Sequence, residues 1–313
     1  MCSAIPCFPP ALEREPGMPA KTAIFVSLAA FTLSYLWVFV ASLLRLRRQG
    51  TPISPSATHL ATGFVANFFD TLGIGSFATT TAIFKFRRMA PDQLIPGTLN
   101  AGHTLPTIFQ AFIYISAIEV DVTTLVLMIA SAVAGAWFGA GLVAGLSRRA
   151  VQIGISAALL TAASAMLMSQ LQLFPAGGNA LHLGGWRLAA GMGGNLLFGA
   201  ISTLGIGFYA PCMTLVSLLG MNPAAAFPIM MGSSAFLMPA ASARFVWKQV
   251  YSPAVAAGLA VGGLLGVPLA AFVVRSLPLT ALRWLVIAVV LYAALVMLRS
   301  VKVEALAVKD ARS

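Results

Sequence analysis

Apolar residues fall in long blocks along this chain, and polar and basic residues are confined to the short gaps between them. The first block, 22–44, reads "TAIFVSLAAFTLSYLWVFVASLL" and runs straight into "RLRR" at Arg45 to Arg48. Further blocks cover 59–84, 95–118, 122–145, 151–173, 186–219, 222–243, 253–274 and 279–299. A helix rises about 1.5 Å per residue, so about 20 apolar residues cross a hydrocarbon layer of about 30 Å. Most blocks therefore predict one membrane-crossing helix each. Two do not. Block 59–84 is interrupted by Gly73-Ile-Gly75, and block 186–219 contains Gly205-Ile-Gly207 and is too long for a single crossing. Closely spaced glycines break helices, so each of these blocks predicts two half-helices. Block 22–44 is too long for a signal-peptide core and lacks a small-x-small cleavage site, which predicts a retained helix. Residues 1–21, rich in Pro and small residues, predict a disordered tail in which Met18 offers a second start.

The two interrupted blocks belong to an internal repeat. Displacing the chain by 132 positions lays "TLGIG" at Thr71–Gly75 on "TLGIG" at Thr203–Gly207. The register then holds without a gap, with Ala78 on Ala210, Met89 on Met221, Pro91 on Pro223, Pro96 on Pro228 and Leu105 on Leu237. These make ten identities across 71–106, and identical prolines and glycines in one register are hard to obtain from composition alone. Further on, "GAWFG" (Gly135 to Gly139) resembles "GGLLG" (Gly262 to Gly266) at a shift of 127. Internal duplication of this kind is common in secondary transporters.

Composition fixes the class. The 313 residues are 59% hydrophobic and 9% charged, with a mean hydropathy of +0.92. A soluble domain carries about a quarter charged residues, so this is an integral membrane protein. The net charge of +11 then points to basic cytoplasmic loops and not to nucleic acid. Cys2, Cys7 and Cys212 show no metal or disulfide spacing. If each glycine-interrupted block is a re-entrant hairpin, 14 of the 19 Lys and Arg residues lie inside and Arg14, Lys21, Arg187, Arg275 and Arg283 lie outside. If each crosses once, the split is 10 to 9. The positive-inside rule favours the hairpins. Repeat one then begins inside and repeat two outside, so the halves are inverted, with the N-terminus outside and the C-terminus cytoplasmic.

Inverted repeats with broken helices place a substrate near the bilayer midplane. Broken backbone at that depth is tolerated only against protein or a wet cavity. A half-helix starting near Ser76 presents unpaired N–H groups and about half a unit of positive charge. Its counterpart starts near Phe208, with Pro211 in the first turn where a missing N–H costs least. Two such ends facing each other predict an anion site. The expected substrate-binding residues are Thr71, Gly73, Gly75, Ser76 and Asn100 from repeat one, and Thr203, Gly205, Gly207, Ser233 and Ser234 from repeat two. The competing explanation for the glycines is close helix packing.

Asp70 is the one acid inside a predicted membrane segment. Such carboxylates mark pathways and proton relays, and a proton on Asp70 would remove its repulsion of a bound anion. His103 also belongs to repeat one alone, since Asp70 maps to Ser202 and His103 to Ala235. The pair is expected to serve proton coupling. The plainer readings are a hydrogen-bonded Asp that stabilises the break and a His that bridges two helices. Cys212 reads as a packing residue, Arg244 as an interfacial anchor or guide for anions, and Trp186, Trp247 and Trp284 as interface residues.

The segments "GFVANFFDTLGIGSFATTTAIF", "GAISTLGIGFYAPCMTLVSLLGMNPAAAF", "GAWFGAGL" and "GGLLGVPL" resemble the TauE/SafE sulfite-exporter family over residues 60–300. The resemblance implies a bacterial or archaeal-type plasma-membrane carrier for sulfite, sulfonates or related organosulfur anions, with the glycine-rich turns lining the pathway. Where many members have a third glycine and a small apolar run, Ser76-Phe77 and Phe208-Tyr209 stand here. The acid at Asp70 is not general either.

The expected architecture is an all-α polytopic membrane protein. An extra N-terminal helix (22–44) precedes two inverted repeats, 59–173 and 186–300, each a broken hairpin followed by three transmembrane helices, and 301–313 forms a cytoplasmic tail. The expected function is transport of a small sulfur-containing anion across the bacterial inner membrane, proton-coupled through Asp70. Its partners are the anionic substrate and membrane lipid, with a homodimer allowed and no cofactor, metal or nucleic acid. Three other readings stay open: a cation carrier using Asp70, an intramembrane enzyme using Asp70 and His103 as acid and base, and a scaffold that transports nothing.

Overall fold

A computed structural model describes residues 18–73, 75–143, 178–202 and 208–273, with isolated positions in 150–173 and at 291. The expectations for residues 1–17, for Arg148 and Arg149, for most of block 151–173, for Thr203, Gly205 and Gly207, and for block 279–299 and the C-terminal tail lie outside the described residues.

Among the described residues the long elements are all helices. Helix α1 runs from Met18 to Arg48, beginning inside the segment expected to be a tail and ending beyond residue 44. Arg45, Arg47 and Arg48 extend its last turn, where cations favour the carbonyl end of the helix dipole. Then come α2 (Ala57–Thr71), α3 (Ser76–Arg87), α4 (Ile95–Ala117), α5 (Val122–Val143), α6 (Gly185–Ser202), α7 (Tyr209–Leu218), α8 (Ala226–Trp247) and α9 (Pro253–Val273). Four helical stretches are long and apolar enough to cross a membrane: Lys21–Arg48, Val122–Gly139, Ala226–Trp247 and Pro253–Phe272. Helix α4 is as long but carries Asn100, His103 and Gln110, all buried.

Block 59–84 is two half-helices, as the glycines predict. Ser56 starts α2 with a reciprocal capping box, its hydroxyl accepting from the His59 N–H while the His59 ring accepts from the Ser56 N–H, both at 3.2 Å. The break at 72–75 needs its glycines. Gly73 has φ +80° and Gly75 has φ +94°, a region L side chains rarely adopt. After the break the chain folds back, so that Thr62 near the start of α2 lies 3.9 Å from the Met89 sulfur just past the end of α3. Helices α6 and α7 fold back in the same way. The Arg187 side chain at the start of α6 reaches Gly220 just past α7, and Gly194 sits against Leu215. Each hairpin leads through a short 3-10 turn (Asp92–Leu94 and Pro223–Ala225) into a long helix.

The two hairpins open toward opposite ends of the bundle. The first shares its end with the start of α9, where Gly258 packs on His59, and with the turn before α9, where the Ser252 N–H donates to Thr98 Oγ1 at 2.9 Å. The second shares its end with the start of α5, where the Leu183 N–H donates to Thr124 Oγ1 at 3.0 Å and the Asp121 N–H to the Leu181 carbonyl at 2.9 Å. The first end gathers the arginines of 45–48, the cations of 85–88, Arg244 and Lys248. Lys21 and Arg187 lie at the other.

Packing between the hairpins and the long helices depends on glycine. Helix α2 lies along α9, with Gly262 against the Leu60 carbonyl and Gly266 against the Phe64 carbonyl. Helix α6 lies along α5, with Gly135 against the Leu196 carbonyl and Gly139 against the Ala200 carbonyl. A Cβ at any of these glycines would collide with backbone, so the close helix approach excludes larger residues. Helices α4 and α8 cross at the centre, tied by the Thr104 and Ser242 hydroxyls at 2.8 Å. Helix α1 is fixed to this core by Tyr35, whose hydroxyl donates to the Ala101 carbonyl at 2.6 Å, and by Ser42 against the Tyr251 hydroxyl at 3.0 Å.

Candidate functional site

The break in the first hairpin sits on a buried polar cluster. Asp70, in the last turn of α2, is fully buried. Its Oδ1 accepts the backbone N–H of Ser76, the first residue of α3, at 2.5 Å. The carboxylate thus crosses the gap and caps the amide end of the next half-helix, where negative charge is favoured. Its Oδ2 accepts from the Tyr209 hydroxyl at 3.3 Å. Tyr209 is the first residue of α7, so donors from both hairpins converge on one carboxylate. Both of these partners are neutral, and among the described residues no formal charge balances the acid within its hydrogen-bonding shell.

Around this centre the bonds continue. Gln110 of α4 donates through Nε2 to Thr71 Oγ1 at 3.0 Å, and its Oε1 faces the Tyr209 hydroxyl at 3.5 Å. Thr71 Oγ1 donates to the Asn67 carbonyl at 2.7 Å. The Tyr114 hydroxyl caps the Thr71 carbonyl, one of the groups the helix end leaves without an intrahelical partner. Thr107 and Ser234 also stand near the Tyr209 hydroxyl.

His103 occupies the far side of the same cluster. The Asn67 amide nitrogen donates to the Gly63 carbonyl at 2.8 Å, which turns the amide oxygen toward His103 Nδ1 at 3.1 Å. That oxygen can only accept, so Nδ1 carries a proton. In the neutral ring Nε2 then accepts from the Thr80 hydroxyl at 2.9 Å. Asp70 and His103 therefore share a network but not a bond. Their link passes through Asn67, whose amide holds position and does not relay protons.

The structure brings Asp70, Thr71, Ser76 and His103 together, and Ser234 joins them beside Tyr209. Gly73 packs edge-on to Phe227, which stacks on Tyr114 with ring centroids 5.0 Å apart. Gly75 has open space on its Cβ side. Asn100 is buried, but its amide turns back to the Pro96 carbonyl of its own helix at 2.8 Å, away from the cluster. Ser233 is fully buried with its hydroxyl unpartnered. Cys212 is buried among apolar neighbours, as a packing residue would be.

The sequence reading missed Asn67, Gln110 and Tyr209 as site residues. Each had a signal in its spacing. Asn67 lies one turn before Asp70, and Tyr209 is the repeat partner of Phe77 at the 132 shift. Gln110 lies two turns after His103 on one face of α4. Among the described residues no three His, Cys, Asp or Glu side chains stand close enough to share a metal ion. The cluster gathers hydrogen-bond donors around one buried carboxylate, that of Asp70.

No curated protein and no solved structure gives a significant match. The sequence model of the family described as Sulfite exporter TauE/SafE matches residues 58–297, which take in both hairpins and leave α1 outside, and the chain belongs to that family of membrane transporters.

Proposed function

We propose that this protein is a proton-coupled carrier of sulfite or a related small sulfur-containing anion, with the anion bound where the two hairpin tips meet. The observation that carries the reading is the shared carboxylate. The Ser76 N–H and the Tyr209 hydroxyl, from opposite hairpins, already hold one anionic group, the side chain of Asp70. A site that holds a carboxylate supplies the donors that a small oxyanion needs.

Asp70 is then both competitor and coupling group. While it is ionised it occupies the Ser76 amide and repels a second anion. Once Oδ2 is protonated, the acid donates to Tyr209, the tyrosine proton turns to Gln110 Oε1, and the α3 amides face an uncharged group. Anion and proton bind together. His103, held between Asn67 and Thr80, positions α2 against α3 and α4 and is not the proton's carrier.

The inverted-repeat reading is supported by two independent features. The hairpins open to opposite ends, and α2 packs on α9 as α6 packs on α5, which is the exchange that a two-fold relation between halves would produce. The basic end is assigned to the cytoplasm by its Lys and Arg excess. On this reading the start of α1 lies on the outer side of a bacterial inner membrane. At about 1.5 Å per residue, the 12 residues of α3 and the 10 of α7 each reach about halfway through a 30 Å layer.

The test is uptake of sulfite, thiosulfate, sulfoacetate and taurine into proteoliposomes, with and without an imposed pH gradient. Uptake of at least one of them that is driven by an inward proton gradient supports the proposal. Uptake driven by Na⁺ or by no gradient overturns the coupling, and absence of uptake for every anion overturns the substrate class.

A further inference from the structure

A furrow on the membrane-facing side, remote from the hairpin tips, has the shape and charge of a lipid site. Its wider part is an apolar groove of about 460 Å³ between α1, α5 and α8, lined by Ile24, Val126, Ile129, Val133, Trp137 and Phe236. Val133 and Trp137 also line a narrower cleft that continues along α8 past Leu237 and Ala240 to Arg244. The two form one furrow. From Val126 to Trp137 it follows α5 for 11 residues, about 16 Å at helical rise. Small residues such as Ala130 and Ala134 line it together with the bulky Trp137 and Phe236.

The furrow ends on a cation at the basic end of the bundle. The Arg244 guanidinium lies 5.1 Å from the centre of the Trp137 ring, a cation–π contact that holds it over the mouth. It lies in the last turn of α8. The ion pair among the described residues is Lys85–Asp92, so no described carboxylate neutralises Arg244. An apolar channel of acyl-chain dimensions that runs from the hydrocarbon layer to a half-buried, unneutralised arginine matches one ligand chemistry: an acyl chain joined to a phosphate. Basic pockets between helices at the cytoplasmic face bind anionic headgroups by this complementarity, and an indole beside a cation suits the interface. Ile24 of α1 supplies one wall, so the groove in this form depends on the helix outside the family match.

We propose that this furrow binds one anionic phospholipid of the cytoplasmic leaflet, its acyl chain along α5 between α1 and α8 and its phosphate on Arg244. The inference does not rest on the transport reading, because no residue of the Asp70 cluster lines the furrow.

The test uses the full chain in bilayers containing phosphatidylglycerol or phosphatidylcholine with brominated acyl chains, which quench nearby tryptophans. The Trp137 signal is the part of the fluorescence lost in Trp137→Phe. The expected result is about fivefold tighter association of the phosphatidylglycerol, the selectivity of about one basic contact at a membrane surface. The preference disappears in Arg244→Gln and survives in Arg244→Lys, which keeps the charge. Equal quenching by both headgroups, or a preference indifferent to Arg244→Gln, overturns the proposal. Protection of Trp137 from both lipids also overturns it and assigns the groove to a protein partner, such as a second copy of the chain.

Discussion

Replacing Asp70 with Asn separates the charge of this residue from its shape. The amide oxygen of Asn still accepts the Ser76 N–H, and its NH2 group faces Tyr209, whose hydroxyl oxygen accepts as readily as it donates. The cap on α3 is kept while the negative charge is removed. In the native protein an anion at the Ser76 amide would sit about 4 Å from the carboxylate. At an effective dielectric of about 20, two like charges at that distance repel by about 4 kcal/mol, close to a thousandfold in affinity. Transport by the native protein is therefore expected to fall steeply as pH rises and Asp70 ionises. Asp70→Asn is expected to transport at every pH with a nearly flat profile and to lose its response to a proton gradient. The assay is initial uptake into proteoliposomes across a pH series. A sulfonate substrate alongside sulfite keeps its own charge constant, so the profile reports the protein. Asp70→Ala serves as the contrast, because it also removes the cap on the Ser76 N–H and is expected to lower stability by about 1–2 kcal/mol. The reasoning fails if Asp70→Asn, folded by size-exclusion and thermal unfolding, keeps the native pH profile.

Three further outcomes follow from the same structure. Tyr209→Phe removes a donor that favours ionised Asp70 at a cost of about 1.5 kcal/mol, so the pH at which transport falls is expected to rise by about one unit with the fold unchanged; an unmoved profile would detach Tyr209 from the mechanism. Gly135→Leu forces a side chain into the Leu196 carbonyl and is expected to destabilise by about 1–3 kcal/mol or prevent assembly, whereas Gly193→Ala, with nothing within 4 Å, is expected to be neutral or slightly stabilising in detergent thermal unfolding. Cysteines placed at Arg87 and Arg187 are expected to react with impermeant reagents from the cytoplasmic and outer faces respectively, and labelling of both from one side would remove the opposed-hairpin topology.

What was readable in the sequence follows from local physics. Apolar block length set the helices, because crossing a membrane demands about 20 apolar residues wherever they occur. The glycines at 73 and 75 located the first break, because the positive φ there excludes other side chains. Asp70 stood out because a lone carboxylate in apolar sequence needs a reason to persist. The expected start of the second half-helix near Phe208 lies one residue from the observed Tyr209.

The identity of the groups around Asp70 was decided only in three dimensions. Tyr209 lies 139 positions away in sequence and Gln110 lies 99 from Tyr209, and neither carries a local mark of its partner. Asn100 shows the converse: it is a buried polar residue in the expected helix, yet the Pro96 carbonyl one turn back claims its amide. Which polar side chains meet depends on how α2, α4 and α7 are rotated and how closely they approach. Those quantities are set by glycine contacts such as Gly262 on Leu60 and Gly135 on Leu196, distributed over the whole bundle. Periodicity along a chain encodes which face is buried and where a helix stops. It carries no information on which buried face lies opposite, because that is the joint solution of every helix packing at once.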